Sequence, residues 1–329
     1  MKALPRRRQL LAIALGVAAA AVVWWFLPGR DRSGELHEVV RADRPPGHVA
    51  APAVALPASS VAGRLVGTAS GMSHAEVHRL VRELPSELAP SEQRELLRRI
   101  GDIPGFLTGL GQDESRHIAS SLLLALVSQR DPVPELVPGL VALARSGEAD
   151  PVVRDYCLQF LGTWLTRHGA AFPAQVPAAV RALLEAAADG GASAAGTALI
   201  ALFRFRAAGD GTLGAGEGAF LESLDRLVHD ERSDALARAS ALQIAADAGR
   251  PGVAELARRL AADESAPGHL RASAISALGR VGDRDEDTRL LAALEISSDL
   301  RIRTASTAAA RILASPSARM TPAHTPDPR

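Results

Sequence analysis

A recurrence at similar intervals constrains this chain more than any single motif does. Arg116, Arg154, Arg238, Arg271 and Arg303 stand in comparable apolar surroundings, with Ala195 in the equivalent place after Arg154, and the successive intervals are 38, 41, 43, 33 and 32 residues. Two frames of the form P-x-x-V-P-x-x-V, "PELVPGLVALA" from Pro134 and "PAQVPAAVRALL" from Pro173, repeat 39 residues apart. A period of roughly 30 to 45 residues holds two helices and their turns, and so small a unit buries its apolar face only against its neighbours. The spacing predicts an all-α fold, an α-solenoid of about six helical pairs. Composition agrees, because 47% of the residues are hydrophobic but only 3% aromatic. Ala supplies much of the apolar count, which suits closely packed helices better than strands.

The repeats are expected over 73–314. Ser73 and Glu76 have the spacing of a capping box at the start of "SHAEVHRLVREL", and prolines mark the following turn. Upstream, Lys2, Arg6, Arg7 and Arg8 form a basic tail, 1–9, before "LLAIALGVAAAAVVWWFL", 10–27, an uncharged run of 18 residues. As a helix it would span about 27 Å, close to the hydrocarbon thickness of a bilayer. Positive charge on its N-terminal side predicts a single-pass inner-membrane anchor with a cytoplasmic N-terminus and an extracytoplasmic remainder, with Trp24 and Trp25 at the outer interface. Cleavage at a small-residue site made by Ala18 and Ala20, releasing a secreted protein, is the alternative. The Pro- and Ala-rich stretch 28–72 reads as a flexible linker, and 315–329, with its prolines, as a disordered tail.

The segment "HLRASAISALGRVGDRDEDTRLLAALEISSDLRIRTASTAAARIL", His269 to Leu313, resembles HEAT repeats of the bacterial type found in phycobilisome lyases. Ala274, Ala277, Leu278, Gly279, Gly282 and Asp283 follow the first half of that pattern, and Asp299, Ile302, Arg303 and Ser306 approximate the second. The likeness is good again over 234–246, looser over 113–205 and absent before about residue 100. It implies the solenoid fold and a ladder of Asp and Arg side chains between stacked units. Asp150, Asp234 and Asp299 each precede Arg154, Arg238 and Arg303 by four residues, so each Asp is placed to cap its helix and to pair with an Arg one turn along. With Arg271 and Asp283 these are read as structural residues.

The acidic run Asp283, Asp285, Glu286 and Asp287 invites a metal reading, which fails on spacing. A calcium loop opening at Asp283 needs Gly where Thr288 stands and a bidentate Glu where Leu294 stands. The run reads instead as a turn with solvated charges at a helix start. "GDGTLG", Gly209 to Gly214, lacks the strand that a dinucleotide fingerprint follows. His74 and His78 stand four apart on one helix, but Glu76 is misplaced for the zinc-protease motif and no third ligand is visible. His117, His168, His229 and His269 fall near helix ends, and the lone Cys157 reads as a buried thiol.

No catalytic constellation emerges, so the chain is expected to be non-enzymatic, with no cofactor, metal or small-molecule ligand. A formal net charge of +0 removes the general attraction to phosphate that nucleic-acid binders show. The remaining expectation is a scaffold for another protein. Candidate contact residues are Trp164 and Arg167 in "TWLTRH" and Arg204, Phe205 and Arg206 in "LFRFR", types enriched at interface hot spots. Filling of the core between repeats is the competing role for Trp164 and Phe205. An enzyme or enzyme subunit akin to HEAT-type lyases, and a nucleic-acid-binding HEAT protein, are the alternatives.

Overall fold

The structure, a computed structural model, describes residues 56–209 and 211–315. The basic tail, the apolar run 10–27, most of the linker and the C-terminal tail lie outside the described residues. Among the described residues there are helices and turns but no strand. Helices pack in successive pairs: α1 (Val61–Thr68) with α2 (His74–Arg82), then α3 (Pro90–Ile100), followed by the short α4 (Ile103–Phe106), with α5 (Gln112–Val127). There follow α6 (Leu136–Arg145) with α7 (Pro151–His168), α8 (Val176–Ala188) with α9 (Ala194–Ala208), and α10 (Glu217–His229) with α11 (Ala235–Asp247). The last are α12 (Val253–Ala262) with α13 (Gly268–Val281) and α14 (Arg284–Leu294) with α15 (Leu300–Ala314).

One correction concerns the linker. Ser60 caps α1 by accepting a hydrogen bond from Gly63 N at 2.9 Å, and Ala62 and Leu65 are fully buried. The helical part therefore begins inside the stretch read as linker, with one more pair than the sequence predicted. At eight residues α1 shows barely two turns of periodicity amid Gly, Ser and Ala, so only the neighbours it packs on reveal it.

Helix starts follow the local chemistry. Ser73 Oγ accepts from Glu76 N while Glu76 accepts from Ser73 N at 2.9 Å, which is the expected capping box. Asp150 caps α7 with Pro151 in the first turn. Pro138 and Pro177 are tolerated because α6 and α8 start late, at Leu136 and Val176, and leave both prolines in a first turn that needs no amide donor.

Two rows of helices result. The second members, α2, α5, α7, α9, α11, α13 and α15, pack each on the next without a break. The first members α1, α3, α6, α8 and α10 do likewise alongside them. A single apolar cluster runs between the rows from Ala62 to Ala309, with Phe106, Trp164 and Phe220 among its largest side chains. Helix α9 buries Ala195, Gly196, Ala198, Leu199, Ala201 and Leu202, which cover more than half of its circumference, because it is flanked by α7, α11 and α8.

The second row is close because small residues face each other across it. A Cβ on Gly162 of α7 would lie 2.5 Å from the Ala201 Cβ of α9. On Gly196 it would lie 3.0 Å from the Ala237 Cα of α11, and on Gly279 of α13 2.9 Å from the Ala309 Cα of α15. Replacing Gly279 by Val is therefore expected to cost about 1 to 3 kcal/mol through overpacking. Replacing the fully buried Leu278 by Ala should cost about 2 to 5 kcal/mol through the cavity left behind. Denaturant unfolding of both variants checks this, and wild-type stability in either would contradict the register.

Candidate functional site

The repeated acids do cap their helices, but none is seen to pair with the Arg one turn along, and at Asp150 the pairing runs between units, as the resemblance implied. Asp150 accepts from Val152 N at 2.8 Å and binds Arg116 of α5, with Nη2 at 2.9 Å and Nε at 3.1 Å, and Gln112 Nε2 at 3.0 Å. Its partner is thus in the preceding unit, and Arg154 Nε is buried without a hydrogen-bond partner. The reason is directional: an N-cap side chain folds back over its own first amides, where the preceding helix reaches it and the Arg one turn along does not. Burial alone would raise the Asp150 carboxyl, but the bonds from Arg116, Gln112 and Val152 outweigh it and hold the pKa below the usual value.

The other positions vary this theme. Asp234 caps α11 through Leu236 N and Ala237 N, while Arg238 is buried and its Nε lacks a partner. Asp299 caps α15 through Arg301 N at 2.8 Å, and Arg303 donates to Ser297 O at 2.8 Å rather than to Asp299. Arg271 donates to Ala261 O, at 3.2 Å from Nη2, in the last turn of α12. Backbone carbonyls, one in the last turn of a helix and one in the turn beyond a helix end, receive two of the repeated arginines in place of carboxylates.

Asp283 is a helix cap, accepting from Asp285 N at 2.8 Å and Glu286 N at 3.1 Å. Asp287 is not solvated as expected. Its carboxylate is buried, bound by Arg258 Nε at 2.6 Å and Nη2 at 3.1 Å, and it accepts from Asp283 N at 2.7 Å. Arg258 stands on α12, one unit earlier, which no local pattern around Asp287 discloses.

The candidate contact residues separate. Trp164 is 1% exposed, beside His168 and Phe172 inside the core, and is out of a partner's reach. Phe205 is half-buried against the same core. Arg206 is tied to Glu217 at the start of α10, 3.0 Å away. Arg204 is exposed in residue area, although surrounding chain partly desolvates its guanidinium and lowers its pKa, and Arg167, also exposed, donates to Ser128 Oγ at 3.3 Å at the end of α5. One turn before Ser128, Leu124 is a large apolar side chain left 50% exposed. Leu124, Arg167 and Arg204 thus sit towards the C-terminal ends of the adjacent helices α5, α7 and α9. Leu124 was missed because it reads as one more core leucine in "SSLLLALV".

The titratable core offers little chemistry. Burial pushes the Cys157 thiol up to about 12. Burial also raises Asp155, against a hydrogen bond from Thr197. His168 is spent on Val127 O, 2.9 Å from its Nε2. Sequence reasoning also missed a third imidazole beside His74 and His78. His117 lies 39 residues after His78, close to the repeat interval, and that spacing is the signal that could have placed it there.

The chain matches no protein-family model, no curated protein and no solved structure.

Two expectations follow from the ion pairs. Arg258→Ala strands the buried Asp287 carboxylate and should cost about 3 to 5 kcal/mol, whereas Asp285→Asn on the exposed side of the turn should stay within about 0.5 kcal/mol. Thermal melts of the two variants distinguish these outcomes. The lowered pKa of Asp150 means that its contribution is present above about pH 4, its unfolded value, and is lost as pH falls through the folded value. Asp150→Asn should therefore show a shallower loss of stability below about pH 4 than the parent chain.

Proposed function

We propose that this chain is a membrane-anchored, extracytoplasmic scaffold, a HEAT-like α-solenoid that binds another protein and carries out no chemistry of its own. The observation that carries the reading is the unbroken second row, seven helices packed in chain order along one core. Such a stack offers a long continuous surface made from many units, which is how repeat proteins hold partners. Small residues let the helices of the second row pack closely, and we take the outer surface of that row as the face that meets the partner. The resemblance of 269–313 to HEAT repeats supports the same architecture.

Within that face the partner site is assigned to Leu124, Arg167 and Arg204. An exposed leucine flanked by two arginines that have no carboxylate partner among the described residues combines apolar area with donors suited to a carboxylate-bearing surface. The basic tail and the 18-residue apolar run support an anchor that places this face outside the cytoplasm.

Crosslinking in native membranes, compared between the parent chain and an Arg167→Ser/Arg204→Ser variant, tests the site. The variant should melt within about 2 °C of the parent, as surface changes do, and lose the crosslinked partner. Retention of the same partner would remove these residues from the site. Protease added to spheroplasts should digest the helical part, and protection of it would reverse the orientation.

A further inference from the structure

Three imidazoles meet on the surface where α2 packs against α5. His74 and His78 stand one turn apart on α2 with ring centroids 5.9 Å apart, and His117 of α5 brings its ring to 5.6 Å from His74 and 5.0 Å from His78. His74 Nε2 is shut off from solvent and has no hydrogen-bond partner among the described residues. A buried ring nitrogen left so is an uncompensated cost unless something at the site engages it. His117 is exposed and the other two rings are partly so, which leaves the cluster open to an ion from solvent.

The spacing suits one metal ion. With metal–nitrogen bonds of about 2.0 to 2.1 Å in tetrahedral geometry, ring centres around a shared ion fall about 5 Å apart. Two histidines four apart on a helix present both rings to one ion. In the rotamers of this structure no three ligating groups among the described residues close on a common point. The ring centroids are nonetheless 5.0 to 5.9 Å apart, and side-chain rotation would have to bring one nitrogen of each ring to a common point.

We propose that His74, His78 and His117 bind one divalent first-row transition metal, zinc foremost, as a three-imidazole site with its remaining position open to water or a partner's donor. Imidazole nitrogen favours zinc, copper and nickel, while calcium and magnesium take oxygen ligands. Because α2 belongs to the first helical pair and α5 to the second, the ion would clamp the N-terminal end of the stack. The inference stands independently of the scaffold reading.

The test uses the full chain in detergent, purified without a polyhistidine tag and titrated with zinc chloride alone. One saturable equivalent is expected, together with a rise in melting temperature that calcium or magnesium chloride does not produce. His117→Gln should weaken zinc binding by more than the about 10- to 100-fold that losing an outer-shell partner costs, and should abolish the thermal shift. Cobalt should give intense tetrahedral absorption bands in the parent and not in the variant. His117 is exposed, so the metal-free variant should melt with the parent; if it does not, His78→Gln is read the same way. Absence of saturable binding, or binding undiminished in both variants, overturns the proposal.

Discussion

The close approach of small side chains along the second row is the constraint on which the rest of the molecule depends. Gly162 against Ala201, Gly196 against Ala237 and Gly279 against Ala309 leave no room for even a methyl group at the glycine. Dispersion attraction falls off steeply with distance, so helices that touch through glycine and alanine gain contact along much of their length. A unit of two short helices cannot enclose a core by itself. It is stable because its second helix is clasped between two neighbours, and each substitution on that seam is felt in both.

Polar groups follow the same logic of dependence on the next unit. Gln129 accepts from Leu88 N at 2.7 Å and donates to Pro85 O, while Gln93 donates to Leu88 O and Asp131 O and accepts from Val133 N. Two buried amide side chains thus satisfy the backbone of the turns after α2 and α5. Arg116 with Asp150 and Arg258 with Asp287 bridge units through charge. Ser306 donates to Leu291 O at 2.6 Å within the last pair. Each bond satisfies a group that the helix ends or the core would otherwise leave unmade. Both charged bridges join side chains of successive units, and removing one partner of the buried pair leaves a costly lone charge.

How much of this could be read beforehand depended on whether the cause lay within one unit or between two. Helix identity, the capping box at Ser73 and the caps at Asp150, Asp234, Asp283 and Asp299 are local, and the sequence shows them. Trp164 and Phe205 illustrate the limit of residue type, since an aromatic in a repeat fills the core as readily as it anchors a partner. Partners across units were less legible: the resemblance implied an Asp and Arg ladder without saying that Arg116 meets Asp150, the repeat interval alone hinted at His117 beside His78, and Arg258 meets Asp287 only through the stacking register. Helix α1 was missed because eight residues give too little periodicity to rise above a Pro-rich background. Of the surface assigned to a partner, Arg167 and Arg204 were legible as candidates, and Leu124 emerged only when its neighbours left it uncovered.

The central claim is that the helical pairs stack in chain order rather than fold round a common centre. Small-angle scattering from residues 56–315 tests it directly, because a compact globule of that length has a radius of gyration of about 18 Å. Seven layers at about 8 to 10 Å each give a long axis of roughly 55 to 70 Å, and a radius of gyration clearly above the globular value is predicted. A radius of about 18 Å with a near-spherical distance distribution would contradict it.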